Sequence, residues 1–369
     1  MDCTYLGGEM QESSSSRWRT LLVAALALVL VMTAACSDDD GGGDSGSGEG
    51  ESTTIRLAFS FPPDISMPGY FVSEELGFFE EENLAIELQI VDGTSSVIQQ
   101  LAAGQADIGV GGPPSALYLA GNEGAEALSF YQIDQENIFA IVVPDDSPIQ
   151  SVDDLAGTTL GISDFSGGEV PVVRAALGLA DLEEGEDVEL LPVGDSPPTV
   201  SQALQSGEID AYAGGDATTL GLQSIGVEFR NVLQDEFQEL PGNIAMSSTQ
   251  YAEENQDVLT RFARAFAKGT YFASANFDEA LQIGCDFAPE NCEDEAFAEL
   301  AMQYYVDLQQ PLGENYGEIN VAGWEAAYDI LVQEGELEDG YDWERHYDSS
   351  MIEAANDFDE EEVSSASTD

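Results

Sequence analysis

The chain has 369 residues, 72 of them acidic and 9 basic, for a formal charge of −63, with one lysine, Lys268, and one histidine, His346. A hydrophobic content of 43% is that of a globular chain with a sizeable core and room for two domains rather than one. So few cations exclude a nucleic-acid partner, which needs clustered Lys and Arg. So acidic a surface repels itself unless salt screens it, which points to a saline habitat, with lineage-wide acidic drift as the alternative.

Arg17 and Arg19 precede an apolar run from Leu21 to Met32. The run falls short of the roughly 20 residues that span a bilayer and fits the apolar core of a secretory signal, predicted over residues 1–35. Thr33-Ala34-Ala35-Cys36 follows and resembles the bacterial lipobox, in which the cysteine is lipidated and becomes the new N-terminus; a plain signal peptide with a chance cysteine is the alternative. Asp2, Glu9 and Glu12 precede the arginines, which makes Met10 an alternative start. Cleavage before Cys36 removes those three acids and two arginines and leaves a charge of −62, so the acidity belongs to the folded part. Residues 36–54 contain SDDDGGGDSGSGEGES, without an apolar side chain, and are predicted to form a lipidated flexible tether.

From Ile55, IRLAFSF predicts a strand, Pro68–Phe79 a helix, Leu84–Val91 an alternating strand, Ser95–Ala103 a helix stopped by Gly104, and Ala106–Val110 a buried strand. The same order recurs from Thr158: a strand in TTLGISDF, a helix over Val170–Leu179, a strand over Asp187–Val193, a helix over Pro198–Gln205 stopped by Gly207, and a strand over Glu208–Ala213. LAAGQADIGV at 101–110 echoes LQSGEIDAYA at 204–213, with Leu101, Gly104 and Asp107 matching Leu204, Gly207 and Asp210 at one offset. Alternating strands and helices imply parallel sheets with right-handed crossovers, either as one Rossmann sheet or as two lobes. Apolar runs leaving each unit, Asn137–Val143 and Asn243–Met246, favour two lobes joined by a two-stranded hinge.

A long helix is predicted over Tyr251–Phe272, with Val258, Leu259, Phe262 and Phe266 on one stripe. Helices at 278–288, 294–308 and 321–334 are expected to pack back on the first lobe, and the acidic tail, 346–369, to fray from Asp357. Cys285 and Cys292 enclose DFAPEN. Outside the cytoplasm they are expected to form a disulfide; the alternative, a metal site, has only these two ligands and no histidine nearby.

In such sheets ligands bind beyond the carboxyl ends of strands, where helix N-termini present free N–H groups. The candidate ligand-binding residues there are Phe61, Asp64, Thr94, Ser95, Gly112 and Ser115 in the first unit, and Asp164, Phe165, Ser166, Asp216 and Thr218 in the second. Ordinary capping and turn chemistry is the alternative for each. No catalytic residue, metal ligand set or cofactor is expected. His346 is far in sequence from these loops, no Ser-His-Asp order or phosphate loop is present, and nothing selects two carboxylates as a hydrolytic pair.

GYFVSEELGFFEEENLAIELQIVDG, AAGQADIGVGG, DDLAGTTLGISDFSGG, SGEIDAYAGG and EENQDVLTRFARAFAKGTYFA together resemble the solute-binding proteins of ABC importers, in the group that handles nitrate, sulfonates, taurine and thiamine-pyrimidine precursors. The resemblance runs from about Ile55 to about Trp343. It implies an α/β, two-lobed periplasmic-binding-protein-like fold of type II with the ligand cleft between lobes. It also implies a discontinuous first lobe, 55–138 plus 247–345, around a second lobe of 139–246. The expected protein is a monomeric lipoprotein on the outer face of the cell membrane that hands its ligand to a permease and ATPase. Hydroxyls and helix N-termini at 94–96, 115 and 166–168 suit an oxyanion. Yet no basic residue lies in the loops, and Asp64, Asp164 and Asp216 would repel a bare anion, while Phe61, Phe165 and Tyr212 could stack on a ring. A sulfonate- or taurine-like zwitterion or an aminopyrimidine-like ring fits better than nitrate. An extracellular enzyme on this fold, or a sensory module without a transporter, are the alternative functions.

Overall fold

The computed structural model describes residues 52–91, 93–112, 116–117, 120–121, 124, 127–237, 240–333 and 335–367. The signal segment, Cys36, the tether up to Glu51, and Ser115 lie outside them.

The chain first forms β1 (Thr53–Phe59), α1 (Pro68–Glu75), α2 (Phe78–Glu81), β2 (Leu84–Ile90), α3 (Gly93–Ala102), β3 (Ile108–Gly111) and β4 (Ala127–Gln132). The second lobe follows as β5 (Phe139–Pro144), β6 (Thr159–Ile162), α4 (Glu169–Leu179), β7 (Glu189–Pro192), α5 (Pro197–Ser206), β8 (Ala211–Gly215), α6 (Asp216–Ser224) and β9 (Phe229–Asn231). The chain then returns through β10 (Ile244–Ser248) and helices α7 (Thr249–Glu254), α8 (Gln256–Ala275), α9 (Phe277–Phe287), α10 (Glu295–Leu308), α11 (Val321–Gln333), α12 (Ile352–Ala355) and α13 (Glu360–Ser364).

Two five-stranded sheets result, in the orders β2-β1-β3-β10-β4 and β7-β6-β8-β5-β9. Each holds three parallel strands, as the repeat predicts, and then a strand delivered from beyond the other lobe that runs antiparallel: β10 beside β3 and β4, β5 beside β8 and β9. The sheets are therefore mixed rather than parallel. The fold is the two-lobed type II arrangement with a hinge.

The repeat's aspartates have one structural task. Asp107 accepts from Arg56 N at 2.9 Å and from Arg56 Nε at 2.9 Å, while Asp210 accepts from Thr159 N at 2.9 Å. Each carboxylate thus ties the first strand of its unit to the turn before the third. Gly104 and Gly207 close the preceding helices at φ 63° and 71°, the left-handed region that favours glycine. Asp107 is buried and Asp210 exposed. Asp107→Ala is therefore expected to cost about 2–3 kcal/mol and Asp210→Ala about 1 kcal/mol, read by denaturant unfolding.

Several boundaries differ from the sequence reading. Ile244–Met246 belongs to the first lobe's sheet, not the second lobe, because it completes the ladder between β3 and β4. The runs 139–143 and 244–246 sit in different sheets. The crossing segments meet instead where Asp134 N donates to Asn243 O and Gly242 N to Asp134 O, both at 3.1 Å. The long helix breaks at Asn255, whose φ of −135° is not helical. The segment 346–369 is not frayed over its described residues: His346 and Val363 are buried, and α12 and α13 pack on α8.

Cys285 and Cys292 are bonded, with Cα atoms 5.5 Å apart. In the chain-entropy picture a loop this short stabilises the chain by about 2.5 kcal/mol. Reduction, or the paired Cys285→Ser and Cys292→Ser substitutions, is expected to lower the melting temperature accordingly.

Candidate functional site

The strand ends of the two lobes meet. Gly93, at the start of α3, lies so close to the second lobe that a Cβ built on it would stand 2.6 Å from Ser166 O. The half-buried Phe139 ring fills the next part of the seam. It comes within 4.0 Å of a Cβ built on Gly112 and 2.8 Å of one built on Gly168, one glycine from each lobe. Small residues at 93, 112 and 168 thus let the two walls and the ring approach.

On the first wall, Thr94 is buried and its Oγ1 accepts from Gly112 N at 3.1 Å, so this hydroxyl braces the loop. Ser95 is half-buried in the first turn of α3. The half-buried Phe61 ring sets its edge against Phe59 at 5.8 Å. Asp64 Oδ1 accepts from Ser66 N at 2.9 Å, and Oδ2 from Asn291 Nδ2 at 3.4 Å. Asn291 belongs to the disulfide loop, so the Cys285–Cys292 bond braces this corner of the first wall.

On the second wall, Asp164 Oδ1 accepts from Ser166 N at 3.0 Å and Ser166 Oγ at 2.8 Å. The backbone bond first, then the hydroxyl, hold the exposed Asp164 carboxyl below the usual range. Phe165 is exposed at the lip, and Thr218, though buried, donates to Asp195 O at 2.9 Å. Behind them Glu169 accepts from Ser163 N at 2.9 Å and from the Ser163 hydroxyl. Burial pushes the Glu169 carboxyl up, and Ser163 opposes that shift. Tyr212 is buried and donates to Gly194 O at 3.2 Å, which removes it from stacking.

Asp216 stands where the lobes join. Its Oδ1 accepts from Ala217 N and from Tyr305 Oη of α10, both at 2.9 Å. Burial, and then the charge of Asp134, push its carboxyl up to about 7, against the Tyr305 and Ala217 hydrogen bonds. Asp134, on the hinge, is pushed up to about 6 by burial, against its bonds from Asn243 and Gln309.

The fold therefore brings Thr94, Ser95, Gly112 and Ser166 to one seam, leaves Phe165 and Asp164 on its rim, and engages Thr94 and Thr218 in the scaffold. Sequence reasoning missed Phe139, Glu169, Asp195, Asn291, Asp134 and Tyr305. The Gly-Gly before Glu169 was the available signal for that residue, because a glycine pair at a helix start marks close approach.

Cations are placed elsewhere. Arg56 pairs with Asp107, Arg174 with Glu184, and Arg264 and Lys268 with Glu82. Arg230 caps the carbonyls of Asp145, Ser147 and Ile149, Arg261 binds Glu82 O, and Arg345 lies over the Tyr341 ring.

Residues 65–280 match the family described as NMT1/THI5 like. The chain is 26% identical over 242 residues to the riboflavin-binding protein RibY of Chloroflexus aurantiacus, covering 64% of this chain and 67% of that one. It is 24% identical over 234 residues to the formylaminopyrimidine-binding protein of Halalkalibacterium halodurans, covering 62% and 69%. Its fold matches the periplasmic aliphatic sulphonate binding protein SsuA of Escherichia coli at a TM-score of 0.60 and 16% identity, over 79% of this chain and 91% of that one. It also matches the desulfurization enzyme DSZB at a TM-score of 0.55 and 16% identity, over 82% and 98%. The chain belongs to the NMT1/THI5-like family, and its fold is that of the solute-binding proteins it matches.

Proposed function

We propose that this chain captures an amino-bearing or uncharged nitrogen heterocycle, of the aminopyrimidine class, between its lobes and delivers it unchanged to an ABC permease and its ATPase. A lipid on Cys36 and a flexible tether keep the monomer beside that importer. One observation carries the ligand class: the Phe139 ring fills the seam, Asp64 on the first wall and the exposed Asp164 on the rim of the second are its carboxylates, and every basic residue of the described region is engaged elsewhere. A bare anion would be repelled there, whereas ring N–H and amino groups would find acceptors. The relatives named for riboflavin and formylaminopyrimidine point the same way, since both names describe planar nitrogen heterocycles.

The desulfurization enzyme shows that this fold also supports catalysis. Binding without turnover is favoured because His346 is tied into packing, against Ala127 O at 3.2 Å and Tyr341 Oη at 2.7 Å, and not into the seam. A thermal-shift screen in molar salt with aminopyrimidines, taurine, alkanesulfonates and nitrate tests the ligand class. Stabilisation by an aminopyrimidine supports it, and stabilisation by nitrate or an alkanesulfonate alone overturns it. Release of a Cys36→Ala chain from the membrane tests the anchor.

A further inference from the structure

Helix α6 of the second lobe is docked on the first lobe. Leu220, one turn from Asp216 and on the same face, is buried among the side chains of the first lobe's core. Tyr305, which reaches Asp216 from α10, is buried in that same core. This seam exists only while the lobes are together.

The hydrogen bonding of the two acids here is unequal. Asp134 Oδ2 accepts from Asn243 Nδ2 at 2.7 Å and Asn243 N at 3.3 Å, and Oδ1 from Gln309 Nε2 at 2.9 Å, a donor set made for a carboxylate. Asp216 Oδ2 is enclosed with no hydrogen-bond partner. Ionising Asp216 would place a charged, enclosed oxygen beside a second carboxylate, with the Tyr304 hydroxyl as the one further group that favours the ionised form. The groups that act on Asp216 are Ala217 N from its own helix, Tyr304 and Tyr305 from α10, and Asp134 from the hinge. Asp64 lies beyond Tyr305 and Glu136 beyond Tyr304. None of them is a cation.

We propose that the Asp216–Tyr305 contact is a proton-dependent clasp, in which Asp216 takes up a proton when the lobes close and returns it to water when they open. The carboxyl stands at about 7 in the closed form, against about 4 for an aspartate in water. Since the closed form has the raised value, closing is favoured at low pH. The closed-to-open ratio then falls about tenfold per pH unit as pH rises from about 4 to about 7, and is flat above that. The clasp holds whatever the ligand is, so its test needs none.

Single-molecule energy transfer between dyes at Glu87→Cys in β2 and Glu189→Cys in β7, both exposed positions, reads the closed fraction of the chain in roughly molar salt. Between about pH 5.5 and pH 8, ordinary carboxylates are already ionised. The expected result is a tenfold fall in the closed-to-open ratio per unit up to about pH 7, then a plateau. Asp216→Asn should lose the fall between about pH 6 and pH 7, leaving only what Asp134, at about 6, contributes below that. Tyr305→Phe removes a donor that favours the ionised form and should move the plateau to higher pH. A flat wild-type profile, or the same fall between about pH 6 and pH 7 in the Asp216→Asn chain, would overturn the proposal. If the asparagine chain does not fold, an unmoved plateau in the Tyr305→Phe chain overturns it as well.

Discussion

Gly269→Val is expected to destabilise the protein by about 3 kcal/mol, read as an earlier midpoint in urea unfolding. Gly269 lies inside α8, where glycine is itself unfavourable by about 1 kcal/mol relative to alanine. Its reason for being there is the crossing with α1. A Cβ on it would stand 2.3 Å from Gly69 O and 2.3 Å from Ser73 Oγ. Ser73 is buried, and its hydroxyl shares one proton between Gly69 O at 2.6 Å and Ala265 O at 2.7 Å, so it joins the two helices. A larger residue must push a backbone carbonyl and break that bridge together. Because lobe 1 carries the α10 face that meets α6, the loss should extend to ligand affinity. An unchanged or later unfolding midpoint would mean that the helices do not cross at these glycines.

Gly93→Val is expected to leave the fold largely intact and weaken ligand binding by roughly 30- to 100-fold, the equivalent of about 2–3 kcal/mol taken from the closed form. Gly93 sits at φ 74°, and its neighbour across the seam is the Ser166 carbonyl. The substitution therefore both strains α3's first residue and holds the lobes apart. The obstacle is backbone, so adding Ser166→Gly should not restore affinity. Calorimetric titration of the single and double variants with the ligand found in the thermal-shift screen checks both statements. Full rescue by Ser166→Gly would show that side chains, not backbone, set the approach.

The strand, helix, strand, helix, strand order of each lobe was legible because buried parallel strands and capped helices leave local patterns, and Gly104 and Gly207 end their helices as the repeat implies. The partner strands were not. β9 has only three residues, and β10 is placed by pairing with β3 and β4, more than a hundred residues earlier, a contact that no local period records. The break at Asn255 comes from one side chain folding back on Tyr251 O at 3.0 Å, which a continuous apolar stripe conceals. Within the cleft, position was legible from loop geometry, but the state of each hydroxyl and carboxylate was not. Thr94 and Thr218 read as free donors and are engaged by the scaffold. Asp216 was placed at a strand end by its loop, but nothing in the sequence marked its burial against Tyr305, 89 residues away, and Asp134 had no distinguishing signal among 72 acidic residues.

The central claim is that two lobes close on one small heterocycle and give it back unaltered. Equilibrium dialysis of the protein in roughly molar salt against an aminopyrimidine, an alkanesulfonate and nitrate, followed by denaturation and mass analysis of the released ligand, tests it most directly. One aminopyrimidine per chain is expected, recovered with its mass unchanged, with neither anion retained. Retention of an anion in place of the heterocycle, or recovery of a chemically altered ligand, would contradict it.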